Sequence, residues 1–170
     1  MTSALETSRL RLVPATPALI GDELAGPARL AAALEAELPV DWPPEHHDAD
    51  TLQFWREQLS QAGAEGWWLY YTLVTEPVPP ILVGTVSYKG PPQDGVVEIG
   101  YSVVPSWRRR GLATEASQGL IEAAWEQGVE LVIAHTFARL EPSVGVLGRL
   151  GFEPAGANEE GELEFRLRRG

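Results

Sequence analysis

The sequence predicts a mixed α+β fold, because segments with strand periodicity and segments with helix periodicity follow one another along its 170 residues. In the middle of the chain, apolar residues recur with a period of two in residues 67–74, 81–88 and 96–104. Turns rich in proline or glycine separate these segments, as in an antiparallel meander. A helical pattern over residues 113–127 then leads to a short apolar strand at residues 131–136, which predicts one strand–helix–strand crossover.

The first third of the chain combines one strand with several helical segments. Leucines alternate with other side chains in residues 9–14 and predict the first strand. A Thr-Pro pair then gives a helix start signal, and helical patches extend over residues 16–38. Prolines make residues 41–48 a loop, and the Asp-Thr pair after it can cap a helix over residues 50–59.

The last third of the chain begins with the strongest helical pattern, over residues 113–127. Gly128 follows it at the position that favours glycine after a helix end. The apolar strand at residues 131–136 is nearly continuous, as expected for a strand that is buried on both faces. The remaining predicted elements are a helix at residues 142–150, with Gly151 as its stop signal, and two closing strands at residues 152–155 and 162–168.

Composition excludes several classes of protein. The length predicts a single domain over residues 1–170, and 44% hydrophobic with 22% charged residues is typical of a globular chain. The chain has no cysteine, which excludes a disulfide framework, a thiolate nucleophile and a sulfur-based zinc site. A net charge of −11 favours cationic partners over nucleic acid or an anionic membrane. The N-terminal segment has no signal-peptide pattern, so we expect a cytoplasmic protein with neither nucleic acid nor a membrane as partner.

Three consecutive arginines precede the longest predicted helix. The positive end of the helix dipole disfavours Arg108, Arg109 and Arg110 there, by about 0.3–1 kcal/mol each. A bound anion would reverse this effect, because free backbone N–H groups at a helix start already attract negative charge. The small side chains of Gly111 and Ala113 would let such an anion approach the backbone. A solvated basic turn and a nucleic-acid patch are the alternatives, and the acidic net charge disfavours the second.

Several motifs around this segment occur together in one known family. Arg108, Gly111 and Ala113 match the pattern [RQ]-x-x-G-x-[GA], the strand VEIGYSVVP precedes it, and the residues ATEA lie at its end. Farther along the chain stands SVGVLGRLGF, and ETSRLRL lies near the N-terminus. With these motifs the chain resembles the GNAT superfamily of acetyl-CoA-dependent N-acetyltransferases, in particular the RimJ/RimL branch that acts on ribosomal-protein N-termini.

The resemblance implies a GNAT-like fold and a binding site for acetyl-CoA as co-substrate, without a metal. The fold would have a mixed, mostly antiparallel sheet of about seven strands, flanked by helices and splayed between the fourth and fifth strands. Backbone groups of Val103 and Val104 would pair with the pantetheine arm like an added strand. The remaining cofactor residues would hold the pyrophosphate: Arg108, Arg109, Arg110, Gly111, Leu112, Ala113 and Thr114.

Two catalytic residues are predicted, Glu98 and Ser143. Strand alternation turns Glu98 away from the apolar face, so it could act as the general base that deprotonates the amine. The alternative interpretation of Glu98 is a surface or salt-bridged glutamate without a catalytic role. The resemblance places Ser143 near the leaving thiol, where many members use a tyrosine that this chain replaces with Leu147. The alternative for Ser143 is a helix-capping hydroxyl. The usual family asparagine is replaced by Leu140.

Other conspicuous side chains receive structural interpretations. His46 and His47 lie in an acidic loop, and a solvated loop or one at the substrate edge is favoured over a metal site because no further spaced ligands follow. His135 on its apolar strand is interpreted as a hydrogen-bonded core histidine. Trp42 is the candidate for a wall of the acceptor pocket.

We therefore predict an N-acetyltransferase that transfers acetyl from acetyl-CoA to a primary amine by direct attack, with general-base assistance. The acceptor would be a protein N-terminus or a small cationic amine, and the protein could form a homodimer. The alternative is a non-catalytic acyl-CoA-binding regulatory module, which the replacements Leu140 and Leu147 support.

Overall fold

One sheet of eight strands organises the computed structural model, which describes residues 3–170. Its strand order is β1-β2-β3-β4-β5-β6-β8-β7. The strands are β1 (Leu5–Glu6), β2 (Leu10–Pro14), β3 (Leu69–Val74), β4 (Ile81–Tyr88), β5 (Val96–Val103), β6 (Leu131–Phe137), β7 (Glu153–Ala157) and β8 (Glu162–Arg168). The helices are α1 (Pro17–Ala25), α2 (Pro27–Leu34), α3 (Ala49–Leu59), α4 (Leu112–Glu126) and α5 (Glu141–Leu150).

The predicted elements are all present, with shifted ends and one addition. The short strand β1 precedes the seven predicted strands and pairs with β2. α3 begins one residue before the expected Asp-Thr pair, because Asp48 caps it by accepting a 2.9 Å hydrogen bond from the Thr51 N–H. The helical patches of residues 16–38 form two helices, which meet at Gly26. The predicted mixed α+β fold is confirmed.

Two hydrophobic clusters lie on opposite faces of the sheet. On β3, Tyr70 belongs to the cluster under α4, whereas its neighbours Leu69 and Tyr71 belong to the cluster under α1, α2 and α3, because successive strand residues face opposite sides. In the half of the sheet formed by β5, β6, β8 and β7, a core cluster lies only on the face that packs against α4 and α5. None of the helices in residues 3–170 is both long and apolar enough to cross a membrane.

The sheet opens at its one parallel pair within the described residues. β5 and β6 pair only from Val96–Leu131 to Glu98–Ile133, although β5 continues to Val103 and β6 to Phe137. We call the gap between residues 99–103 and 134–137 the wedge. It lies between the fourth and fifth predicted strands, so the expected splay is confirmed.

Candidate active site

The start of α4 presents a continuous row of free backbone donors beside the wedge. Within residues 3–170, none of the six N–H groups from Arg109 to Thr114 has a hydrogen-bond acceptor. The N–H of Arg108 donates to the Pro105 carbonyl, and that of Glu115 donates to the Gly111 carbonyl, so the row is bounded at both ends. Free N–H groups at the positive end of a helix dipole form an anion site.

The backbone of this segment is held in an uncommon conformation. Arg109 and Gly111 both have positive φ angles, 65° and 75°. The left-handed region costs a residue with a Cβ atom about 1–2 kcal/mol, whereas glycine adopts it freely. Such turns direct successive N–H groups into one concavity, the arrangement known as a nest. We call residues 109–114 the nest.

The arginine side chains of this segment have different partners. Arg108 donates from Nε to the Val103 carbonyl at 2.9 Å, and its guanidinium lies 3.8 Å from Glu45. The Arg110 guanidinium stacks on the Trp107 ring at 4.4 Å from the ring centroid. Two of the three cations are thus held by protein groups at the edge of the nest.

The loop at residues 41–48 is tied to the turn before the nest. Asp41 accepts hydrogen bonds from the backbone N–H and the hydroxyl of Ser106, both at 2.8 Å. The Ser106 N–H is the main cause that lowers the pKa of Asp41. Trp42, the predicted pocket wall, therefore lies beside a carboxylate that is fixed to the segment leading into the nest.

Only alternate residues of β5 direct their backbone groups toward the wedge. The Val104 N–H donates to the Val83 carbonyl on β4 at 2.9 Å, and the Glu98 carbonyl accepts from Lys89 on the same side. Because backbone direction alternates along a strand, Tyr101 and Val103 present their N–H and C=O groups to the wedge. The Val103 N–H is therefore placed to pair with a pantetheine arm, whereas the Val103 carbonyl already accepts from Arg108 Nε and the Val104 N–H already donates to β4.

Glu98 lies at the closed end of the wedge, at the last paired position of β5. Its Oε2 atom is 2.8 Å from Lys89 Nζ and 3.2 Å from His135 Nδ1. The second ring nitrogen of His135 is 3.3 Å from Glu164 on β8. Glu98 thus makes the contacts of the ion-paired glutamate that the sequence left as an alternative, and its side chain keeps 22% of its surface exposed.

Ser143 is paired with a tyrosine across the wedge. The Tyr101 hydroxyl lies 2.9 Å from Ser143 Oγ and also donates to the Ser143 carbonyl at 2.9 Å. The capping alternative is wrong, because the cap position of α5 is Leu140 and that helix start has no side-chain cap. Burial raises the pKa of Tyr101, although Ser143 and Arg149 oppose this effect, so the phenol stays protonated at neutral pH.

Tyr101 is a residue that the sequence reasoning missed. Strand alternation placed it on the apolar face, which favours a core assignment for any aromatic side chain. The available signal was its hydroxyl, since a buried tyrosine normally finds a hydrogen-bond partner. Neither replaced family position carries a polar group: Leu147 is fully buried in the core, and Leu140 is 44% exposed.

His47 belongs to a buried polar cluster rather than to a solvated loop, so that interpretation is corrected. Its Nε2 atom is 2.7 Å from Glu23, which also accepts hydrogen bonds from Trp42 Nε1 and from the Tyr71 hydroxyl. A cavity of about 130 Å³ lies against Glu23, Trp42 and His47. In residues 3–170, no group of three or more His, Asp or Glu side chains is arranged to hold a metal ion.

The splayed sheet is the fold that the resemblance implied for an acetyltransferase. The family model of the GNAT acetyltransferase domain matches residues 9–153, and the chain belongs to this family. No curated protein sequence matches the chain.

Similar solved structures cover nearly the whole chain. A GNAT-family acetyltransferase from Bacillus anthracis has a TM-score of 0.66 at 16% identity, over 98% of both chains. The ribosomal-protein-S5-alanine acetyltransferase from Vibrio fischeri has a TM-score of 0.67 at 16% identity, over 98% of this chain and 96% of that one. RimL, a ribosomal L7/L12 α-N-protein acetyltransferase in complex with coenzyme A, has a TM-score of 0.68 at 16% identity, over 98% of both. The expected family and enzyme class are thus confirmed.

Proposed function

We propose that this protein transfers the acetyl group of acetyl-CoA to the primary amine of a cationic acceptor, without a covalent enzyme intermediate. The observation that carries the proposal is the nest, whose six free N–H groups lie at the start of α4 beside the wedge. A diphosphate would satisfy these donors and gain from the helix dipole. Acetyl-CoA, when bound, supplies the thioester.

The residues around the nest suit the proposed cofactor. The six N–H groups of the nest would hold the diphosphate, with Arg108, Arg109 and Arg110 adding positive charge at its rim. Val103 would pair with the pantetheine arm through the N–H that it presents to the wedge, while its carbonyl keeps the hydrogen bond from Arg108. The residues present therefore fit coenzyme A.

Glu98 would act on the amine nucleophile of the proposed reaction, and Ser143 on its leaving group. The neutral amine loses one proton when its nitrogen bonds to the acetyl carbon, and the thiolate gains one when the carbon–sulfur bond breaks. Glu98, at the closed end of the wedge, would accept the amine proton. On the opposite side, the Tyr101 hydroxyl would donate to Ser143 Oγ, which leaves the Ser143 proton free to donate a hydrogen bond to the departing sulfur. The thiolate would then take its proton from water.

The charge of the chain favours a cationic acceptor. A net charge of −11 attracts amines and disfavours anionic partners such as nucleic acid. Two of the similar structures are ribosomal-protein acetyltransferases, which favours a peptide N-terminus over a small amine as the acceptor. A cytoplasmic location, the single-domain organisation over residues 1–170 and a homodimer stay predictions of the sequence.

The experiment measures acetyl transfer by wild-type protein to peptides with free N-termini, polyamines and aminoglycosides. Release of the CoA thiol can be followed with a thiol reagent, because the chain contributes no cysteine background. Binding of CoA without acetylation of any amine would favour the regulatory module instead. That alternative rests on Leu140 and Leu147, which supply no polar group at the two replaced family positions.

The role of Glu98 is tested with Glu98→Gln, which keeps the shape of the side chain and removes the base. We expect kcat to fall by about 10²- to 10⁴-fold and its pH profile to change, with CoA affinity retained. Glu122→Gln on the exposed face of α4 is the matched control and should behave as wild type. An unchanged pH profile in Glu98→Gln would assign amine deprotonation to water or another group.

A further inference from the structure

Arg9 connects the first long strand to the nest through both its side chain and its backbone. Its Nη1 atom donates to the Arg110 carbonyl at 2.9 Å, and its Nε atom donates to Glu115 Oε1 at 2.7 Å. The Arg9 backbone N–H donates to Glu115 Oε2 at 2.8 Å. One residue thus holds both the loop before α4 and the first turn of α4.

Glu115 is the acidic residue of that first turn, and its charge would oppose an anion in the nest. Thr7 and Arg9 occupy both of its carboxylate oxygens. Burial raises the pKa of Glu115, but the hydrogen bonds from Thr7 and Arg9 outweigh this effect, and the pKa lies below its usual value. The carboxylate is therefore ionised at neutral pH and compensated by the Arg9 guanidinium.

The hydrogen bond from Arg9 to the Arg110 carbonyl also fixes the direction of a donor in the nest. In a planar trans peptide, the C=O and N–H groups point in opposite directions. Because the Arg110 carbonyl points to Arg9, the Gly111 N–H points away from Arg9. A Cβ atom on Gly111 would lie 3.5 Å from the Arg9 guanidinium, which shows how closely Arg9 approaches this peptide.

We propose that Arg9, with Thr7 and Glu115, is a positioning residue for the diphosphate of CoA. Arg9 makes no contact with the anion in this proposal and acts through the Arg110–Gly111 peptide and through the charge of Glu115. The inference rests on the proposed function, since it concerns the same diphosphate site. It assigns a role to the first of the two arginines in the N-terminal ETSRLRL motif, a residue outside the predicted cofactor and catalytic sets.

The experiment compares Arg9→Gln with Arg11→Gln as a matched control. Arg11 lies two residues along on β2, is exposed to a similar extent, and pairs with Glu6 rather than with α4. CoA affinity is measured by calorimetry, and the affinity for pantetheine, which lacks the diphosphate, by NMR titration. We expect Arg9→Gln to weaken CoA binding roughly tenfold and to leave pantetheine binding unchanged. Arg11→Gln should alter neither affinity.

Arg9→Lys is the second variant and keeps the charge. A single ammonium group lacks the planar guanidinium fork that serves Glu115 and the Arg110 carbonyl together. We therefore expect Arg9→Lys to fold and still to bind CoA several-fold more weakly than wild type, again with unchanged pantetheine binding. Full affinity in Arg9→Lys and Arg9→Gln, or an equal loss for both ligands, would overturn the positioning role. Failure of wild-type protein to bind CoA would instead overturn the proposed function.

Discussion

Two strand-to-helix junctions flank the wedge, and they are built differently. The first leads from β5 into α4 and leaves the N–H groups of residues 109–114 free. The second leads from β6 into α5. There, Pro142 has no N–H, and the N–H groups of Ser143 and Val144 both donate to the Leu140 carbonyl.

The difference shows that a helix dipole alone does not make the anion site. Both helices present their positive ends at the wedge, but only the first junction contains positive φ angles, at Arg109 and Gly111, whereas residues 137–144 contain none. Positive φ angles turn the carbonyl groups away and expose consecutive donors. Backbone conformation therefore favours the start of α4 for the proposed diphosphate site, and the second junction carries the Ser143 hydroxyl.

Among changes at the two junctions, the largest effect on CoA affinity is expected from Gly111→Val, which removes the glycine of the first junction. Valine disfavours the left-handed region strongly, so the nest should rearrange and CoA affinity should fall about 10- to 100-fold in calorimetry. Gly128→Val is the control, because Gly128 also has a positive φ, 90°, and lies at the far end of α4. Both variants should lose thermal stability, and equal CoA affinity in the two would remove the special role of the first junction.

An intermediate effect is expected at the second junction from Ser143→Ala and Tyr101→Phe. Each removes one hydroxyl of the pair, so kcat should fall by up to about 10²-fold while CoA affinity stays near wild type. Ser117→Ala is the control, since the Ser117 hydroxyl on α4 is buried and has no hydrogen-bond partner within residues 3–170. A lower melting temperature with normal kcat in the first two variants would reduce the pair to a structural contact.

The smallest expected effect comes from capping the second junction with Leu140→Asn. The asparagine oxygen can accept a hydrogen bond from the Ser143 N–H, which should stabilise the protein by about 1 kcal/mol and raise Tm by about 2–4 °C. Leu140→Gln adds a similar polar group without the capping geometry, and should leave Tm near that of wild type. Equal melting temperatures for the two variants would show that the Leu140 carbonyl already satisfies this helix start.

Much of the architecture could be predicted from local patterns. Local periodicity shows which faces of an element are buried, and it depends only on residues close together in the sequence. This holds for the period of two in the meander, for the helical period before Gly128 and for the apolar strand after it. The row of arginines before Gly111 likewise predicted an anion site. The short strand β1 was not predicted, because two residues carry no periodic signal.

The contacts around Ser143 and His47 could not be predicted in the same way. Tyr101 and Ser143 are 42 positions apart, and the sequence predicted Tyr101 in the core and Ser143 near the thiol or at a helix cap, with no contact between the two. The sequence predicts a solvated loop or one at the substrate edge around His47, because no spaced metal ligands follow it, whereas the structure places its partner Glu23 on α1. In each case the partner comes from another element, and only packing decides whether the two meet.

The sequence by itself determined the class of fold and the family, and it predicted the diphosphate segment, because these depend on periodicity and on a short motif that is continuous in the chain. The tertiary structure decided which backbone groups face the wedge, how Glu115 is compensated and what orients Ser143. Arg9 and Glu115 stand 106 residues apart in sequence, and their pairing exists because β2 and α4 pack together. Hydrogen bonds and ion pairs act over a few ångströms, so their partners are fixed only when the chain has folded.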